Sequence, residues 1–158
     1  MHYLVRLIVA GDTKEEANNE ARWIMDELVE WHEFDWYTVT AEDSRWPDCW
    51  SPMRLSSKKA QAIVTETMSK QLEEFKRTMD CVRFMLKNYT DEQIFNEEFE
   101  AVEGYYLSRY QFSKASGYHG NACLLFGESG DSITSQKHLD GYLKDTKNLW
   151  VVQVDCHN

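Results

Sequence analysis

Apolar and polar residues alternate through "HYLVRLIVAG", and the branched residues among them predict a first strand, ended by Gly11 and the turn former Asp12. Across "DTKEEANNEARWIMDELVEW" the period lengthens. Ala17, Ala21, Ile24 and Leu28 fall on one stripe, with acids gathered in the first turn where the helix dipole favours them, so an amphipathic helix is expected. "EFDWYTVT" returns to aromatic and β-branched residues and predicts a second strand. "AEDSRWPDCWSPM", which holds both prolines, predicts a loop.

From Ser56 onward apolar residues recur every three or four positions: Ala60, Val64, Met68, Leu72, Phe75, Met79, Val82, Leu86 and Tyr89. This seam predicts a helix of roughly 45–50 Å, buried against the sheet or against a second copy as in a homodimer. Thr90 and Gln93 have the spacing of a capping box for a shorter helix carrying Ile94, Phe99 and Val102. Beyond Gly104, "YYLSRYQF" is expected to be extended, "SKASGYHGN" a loop and "ACLLFG" a buried strand. "ESGD" then turns into a helix bearing Ile133, Leu139, Tyr142 and Leu143, and "LWVVQVDC" is the last strand.

With the helices at about 56–103 set aside as an insertion, the remainder reads β-α-β twice. The expected fold is α+β, a ferredoxin-like βαββαβ antiparallel sheet with helices on one face. In that order the second and last strands occupy opposite edges. The starts of strands one and two and the end of the last strand nevertheless share one end of the sheet, which would gather His2, His32, Phe34, Asp35, Trp36, Asp155, Cys156, His157 and the "GESGD" turn.

A length of 158 residues predicts one domain, 1–158, and 42% apolar with 13% aromatic residues excludes a disordered chain. The net charge of −10 opposes binding to duplex nucleic acid, which needs Lys and Arg to displace counterions from phosphates. Cys49, Cys81, Cys123 and Cys156 form no CxxC pair and no secretory leader is legible, so free thiols in the cytoplasm are expected, that of the host for a viral chain. No apolar run approaches the ~20 residues of a membrane-spanning helix.

Candidate chemistry sits at the predicted strand ends. Asp155 and His157 are two apart on a strand and share a face, with Cys156 on the other, which makes a thiolate–imidazole pair geometrically poor. An acid with an imidazole suits a general base and its orienting carboxylate, making Asp155 and His157 the catalytic residues of an enzyme, or two ligands of a divalent metal. The plain alternative is a solvated strand end. Asp35 and Tyr37 are expected on one face of the second strand, with Phe34 and Trp36 on the other. Trp36 or Tyr37, with Trp46 and Trp50 from the loop, would offer flat surfaces to a nucleobase, and Arg45 a partner to its phosphate. The "GESGD" turn carries Asp131, which suits a plain N-cap better than a phosphate cradle. No cofactor or metal is specified by these residues.

Phe34-Asp35-Trp36-Tyr37, Arg45-Trp46 and the terminal Val154-Asp155-Cys156-His157 together resemble the marks of a family of short, functionally unassigned proteins of bacteriophages and some bacteria. That pattern has Gly-Gly before Arg-Trp where this chain has Asp43-Ser44. The resemblance implies a phage-type accessory protein whose polar sheet edge is a site. Joined to the residue reading, it gives as the leading expectation a counter-defence factor binding a small phosphorylated ligand, such as a nucleotide immune signal, through Asp35, Trp36, Tyr37, Arg45, Trp46, Asp155 and His157. The two rivals are a hydrolase or phosphodiesterase degrading that nucleotide with Asp155 and His157, and an acidic inhibitor that binds a host defence protein.

Overall fold

Two nine-residue strands, β1 (His2–Ala10) and β5 (Leu149–His157), form the centre of the sheet, antiparallel from His2 opposite His157 to Ala10 opposite Leu149. The computed structural model describes residues 1–116 and 123–158, so most of the predicted loop "SKASGYHGN" and the first residue of "ACLLFG" lie outside the described residues. Between the two long strands come α1 (Lys14–Glu30), β2 (Trp36–Tyr37), β3 (Met53–Arg54), α2 (Lys58–Asn88), α3 (Asp91–Phe95), α4 (Tyr110–Ser116), β4 (Leu125–Phe126) and α5 (Gln136–Lys144).

The result is a mixed α/β fold, and its sheet differs from the ferredoxin-like expectation in three ways. β2 and β3 both pair with β5, so the second strand neighbours the last one instead of taking the opposite edge. β4 lies beside β1 and runs parallel to it, where an antiparallel strand was expected. Helices cover both faces. α1 buries Ala17, Ala21, Ile24 and Leu28 against Val5, Leu7, Val152 and Val154, while Ala60, Val64 and Met68 of α2 and Leu139 of α5 pack on Ile8, Leu125 and Val151. The reason is legible in β5, where eight of nine residues are buried. A strand with no solvent-facing position needs cover on both sides, and a single helical layer would leave half of "LWVVQV" in water.

The expected second strand contracts to two residues because the chain leaves β5 and returns. Backbone bonds from Asp35 to His157, Thr38 to Asp155, Trp50 to Gln153 and Leu55 to Leu149 make one discontinuous edge, from which residues 39–49 loop out. Trp50 closes that loop in the left-handed region at φ 56°, unusual for a bulky residue. It is held there by its own backbone bond and by its indole Nε1–H donated to the Thr38 carbonyl at 2.8 Å.

α2 spans the predicted long helix, and its first half buries the expected Ala60, Val64 and Met68. Farther on the buried stripe moves to Gln71, Thr78, Cys81, Val82 and Met85, leaving Leu72 and Leu86 exposed. A straight helix drifts about 20° per heptad against a 3.5-residue seam, so the rows that begin in the core rotate out of it. The capping box forms as expected, Thr90 accepting from the Gln93 N–H and Gln93 reaching back to Thr90. Its helix ends at Phe95, and Phe99 instead sets its ring edge-on to Tyr89. "YYLSRYQF" is not an extended run. Its last three residues enter α4, and just before that helix the Glu97 carboxylate accepts the Arg109 N–H and the Ser108 hydroxyl, bonds that hold that carboxyl below its usual range.

Candidate functional site

Alternation along the two central strands sets His2, Leu4, Arg6 and Ile8 on one face with His157, Asp155, Gln153 and Val151. Pairing of Trp36 with His157 adds the indole to the same row, because directly paired residues share a face. Three rings meet there. The His157 and Trp36 planes lie 8° apart with centroids at 5.2 Å, and His2 stands edge-on to both at 5.4 Å. Trp36 remains 43% exposed, so the stack presents part of its surface to solvent.

Asp155 is completely buried, contrary to the expectation of a solvated strand end. A carboxylate there must be supplied with donors. His2 Nδ1 lies 2.8 Å from Oδ1, while Oδ2 accepts the Arg45 backbone N–H at 3.0 Å and the Ser44 hydroxyl at 3.3 Å. Ser44 Oγ in turn accepts the Trp46 N–H at 3.0 Å and lies 3.0 Å from Cys49 Sγ. Burial and the nearby Asp155 charge push the Cys49 thiol up, against the hydrogen bond with Ser44, so it stays protonated at neutral pH. Asp155 therefore fastens the turn at 44–46 to the end of the sheet. Ser44 and Cys49 were not singled out from the sequence; an acid inside an otherwise buried strand is the signal that such donors must exist.

His157 does not bond to Asp155. Its nearest carboxylate is that of Asp35, 3.6 Å from Nδ1 and largely exposed, and its Nε2 lies 3.0 Å from the Met1 amine. Asp35 reaches this position because its N–H donates to the His157 carbonyl at 2.8 Å. The expected grouping of side chains along the second strand is revised. Tyr37 points to the α1 face and donates its hydroxyl to Asp26 at 2.6 Å, and Phe34 is buried against Phe126 in the core on that face, apart from Trp36. Burial first, then the bond to Asp26, pushes the Tyr37 phenol well above its usual value.

Of the loop residues, Arg45 projects an exposed guanidinium from a backbone that Asp155 holds, and Trp46 is partly buried against the core. Trp50 is buried, with the Arg22 guanidinium 4.6 Å above its ring, so it is a packing residue and no stacking surface. His32 ends α1 in an exposed left-handed turn. The "GESGD" turn folds over α1, where Gly130 faces Ile24, Leu28 and Trp31, and Asp131 pairs with His138 at 3.1 Å. The structure thus brings Asp35, Trp36, Arg45, Asp155 and His157 to one end of the sheet with His2, and turns Tyr37 away. On the same face, one register inward, burial holds the Arg6 guanidinium below its ordinary value. Among the described residues, no three His, Cys, Asp or Glu side chains are arranged to hold a metal ion, and no helix is long and apolar enough to cross a membrane.

No curated protein and no solved structure matches the chain. The family model described as a domain of unknown function, DUF7995, matches residues 1–158, and the chain belongs to that family.

Proposed function

We propose that the chain binds a small phosphorylated ligand with a flat ring, a nucleotide by chemical class, at the end of the sheet where β1, β5 and β2 meet. The half-exposed stack of Trp36 on His157 carries this reading, and the exposed Arg45, whose backbone is bonded to Asp155 at the same end of the sheet, supports it. A ring laid on Trp36 extends an existing stack, and Arg45 supplies the cation that a phosphate requires. Asp155 contributes from behind: fully buried and bonded to His2, Ser44 and Arg45, it fixes the loop and is closed to solvent. That burial favours binding over hydrolysis, and any proton transfer would fall to His157 with Asp35. A nucleotide signal of host defence fits this chemistry, and the counter-defence role rests on the resemblance to phage accessory proteins.

Titration of tryptophan fluorescence with adenosine monophosphate, a cyclic dinucleotide and inorganic phosphate tests the reading. Saturable quenching by a nucleotide is expected, weakened about tenfold or more in both Trp36→Ala and Arg45→Ala, with the ligand recovered intact after heat denaturation. A chemically altered ligand would make the protein a hydrolase, and an absence of saturable binding to any of the three would remove the proposal.

A further inference from the structure

The outer face of α1 carries a pattern that neither the core nor the sheet edge uses. At 100° per residue, Glu16, Glu20, Trp23, Glu27, Glu30 and Trp31 fall within about a 100° arc that holds no basic residue. Trp23 is 53% exposed and Trp31 55%. Two indoles left more than half in water are uncommon on a helix whose opposite face packs Ala17, Ala21, Ile24, Met25 and Leu28 completely or almost so. Arg22 does not reach this arc, because its guanidinium lies over Trp50 and donates to the Val39 carbonyl at 2.7 Å. Beside the start of the arc, Asp12, Glu16, Asn19 and Glu20 line an open cleft of ≈ 520 Å³ together with Gly11 and Asn148.

We infer that this face docks a basic helical segment of another protein, with Trp23 and Trp31 as anchors and the carboxylates around them as partners for Arg or Lys. Indole faces attract guanidinium and ammonium groups, and buried Trp residues carry much of the energy of protein interfaces. The acids give the surface its selectivity. Glu20 and Glu27 are seven residues apart, as are Trp23 and Glu30, so a partner helix with cations at the same spacing meets a carboxylate or an indole on every second turn. A second copy of this chain is the poorer occupant, because two molecules of charge −10 repel and every charged residue of this arc is an acid. The inference is independent of the nucleotide reading, which uses neither tryptophan.

The test uses two synthetic helical peptides, one carrying Arg at seven-residue spacing with Leu between, the other with Glu in place of Arg. The Arg peptide is expected to shift tryptophan emission saturably and to bind more weakly as salt rises from about 50 to about 500 mM. Trp23→Ala, Trp31→Ala and the double charge reversal Glu20→Lys with Glu27→Lys are each expected to weaken it about tenfold or more; Trp23→Ala and the charge reversal should leave the melting temperature in place, whereas Trp31→Ala also gives up its packing beside Gly130 and should lower it. Equal binding of the Glu peptide, or Arg-peptide binding that survives both tryptophan substitutions, would overturn the inference. So would self-association by light scattering that Trp23→Ala abolishes, because the occupant would then be a second copy.

Discussion

Asp155 accepts the backbone N–H of Arg45 at 3.0 Å, tying a surface loop to a carboxylate that no solvent reaches. Removing that carboxylate strands three donors, and a hydrogen bond to a charged group is worth about 1.5–3 kcal/mol. Asp155→Ala is therefore expected to lower stability by about 2–3 kcal/mol in urea denaturation. Asp155→Asn should cost less. Its amide oxygen can keep Ser44 and Arg45 while its NH₂ faces His2, whose Nδ1 accepts in the other tautomer. Equal losses for the two variants would mean that the charge, and not the loop anchor, is what the site needs.

At the opposite end of β1, Gly11 leaves no room for a side chain. A Cβ built there meets the Ala17 backbone nitrogen at 2.9 Å and its Cα at 3.3 Å, and backbone atoms inside a helix cannot step aside. The same residue donates its N–H to the Asn148 carbonyl and accepts the Trp150 indole, so displacement would break two further contacts. Gly11→Ala is expected to destabilise by about 1–3 kcal/mol, measured by thermal melting.

Adjacent residues on the far half of α2 should respond oppositely to truncation. Met85 is fully buried, and Met85→Ala is expected to cost about 2–4 kcal/mol, whereas Leu86, 60% exposed, should lose less than about 0.5 kcal/mol in Leu86→Ala. Denaturant midpoints of the two variants, compared at unchanged slope, check the rotation of the buried stripe. A large loss at Leu86 would show that this row is covered in solution.

Tyr37 gives the fold an alkaline weakness. Burial and the bond to Asp26 favour its neutral form, so its folded pKa stands above the unfolded value of about 10. The unfolded chain then gives up this proton first. The stabilisation is complete below about pH 10 and is lost as pH rises through the folded value. Tyr37→Phe should be less stable than the parent at neutral pH, and the difference should narrow above about pH 10. Denaturation curves at several alkaline pH values measure it, and a gap that stays constant with pH would contradict it.

Much of this was legible from period and residue type. β1, α1, the first half of α2 and β5 follow their apolar patterns, and the capping box at Thr90 is a local motif that needs no tertiary partner. The sheet order was not legible, because it depends on what covers β5, and a run such as "LWVVQV" does not reveal whether one helical layer or two lies over it. The second strand was overextended for a related reason: "EFDWYTVT" has β propensity throughout, yet Thr38 is its last residue bonded to β5 before the chain leaves and returns at Trp50. Placement of Asp155 with His2 survived the change of topology, since antiparallel pairing of the first and last strands alone brings those ends together, and Asp35 joins them because the second strand pairs with β5. The burial of Asp155 did not follow from the strand pattern, because the loop that covers it is held by Ser44 and a backbone N–H, neither of which has a periodic signature.

The pairing of β1 with β5 also fixes when this protein can fold. Trp150 and Gly11 are 139 residues apart in sequence, and His2 and Asp155 are 153 apart, so the central ladder closes across nearly the whole chain. Such non-local pairing pays its loop-closure entropy before any contact rewards it. Val5, Leu7 and Val9 can be covered on one side by α1 soon after they are made, but their backbone lacks the partner strand until residues 149–157 are available. A chain shortened anywhere upstream of Leu149 therefore keeps the long edge of β1 unpaired, with its N–H and C=O groups open to other strands.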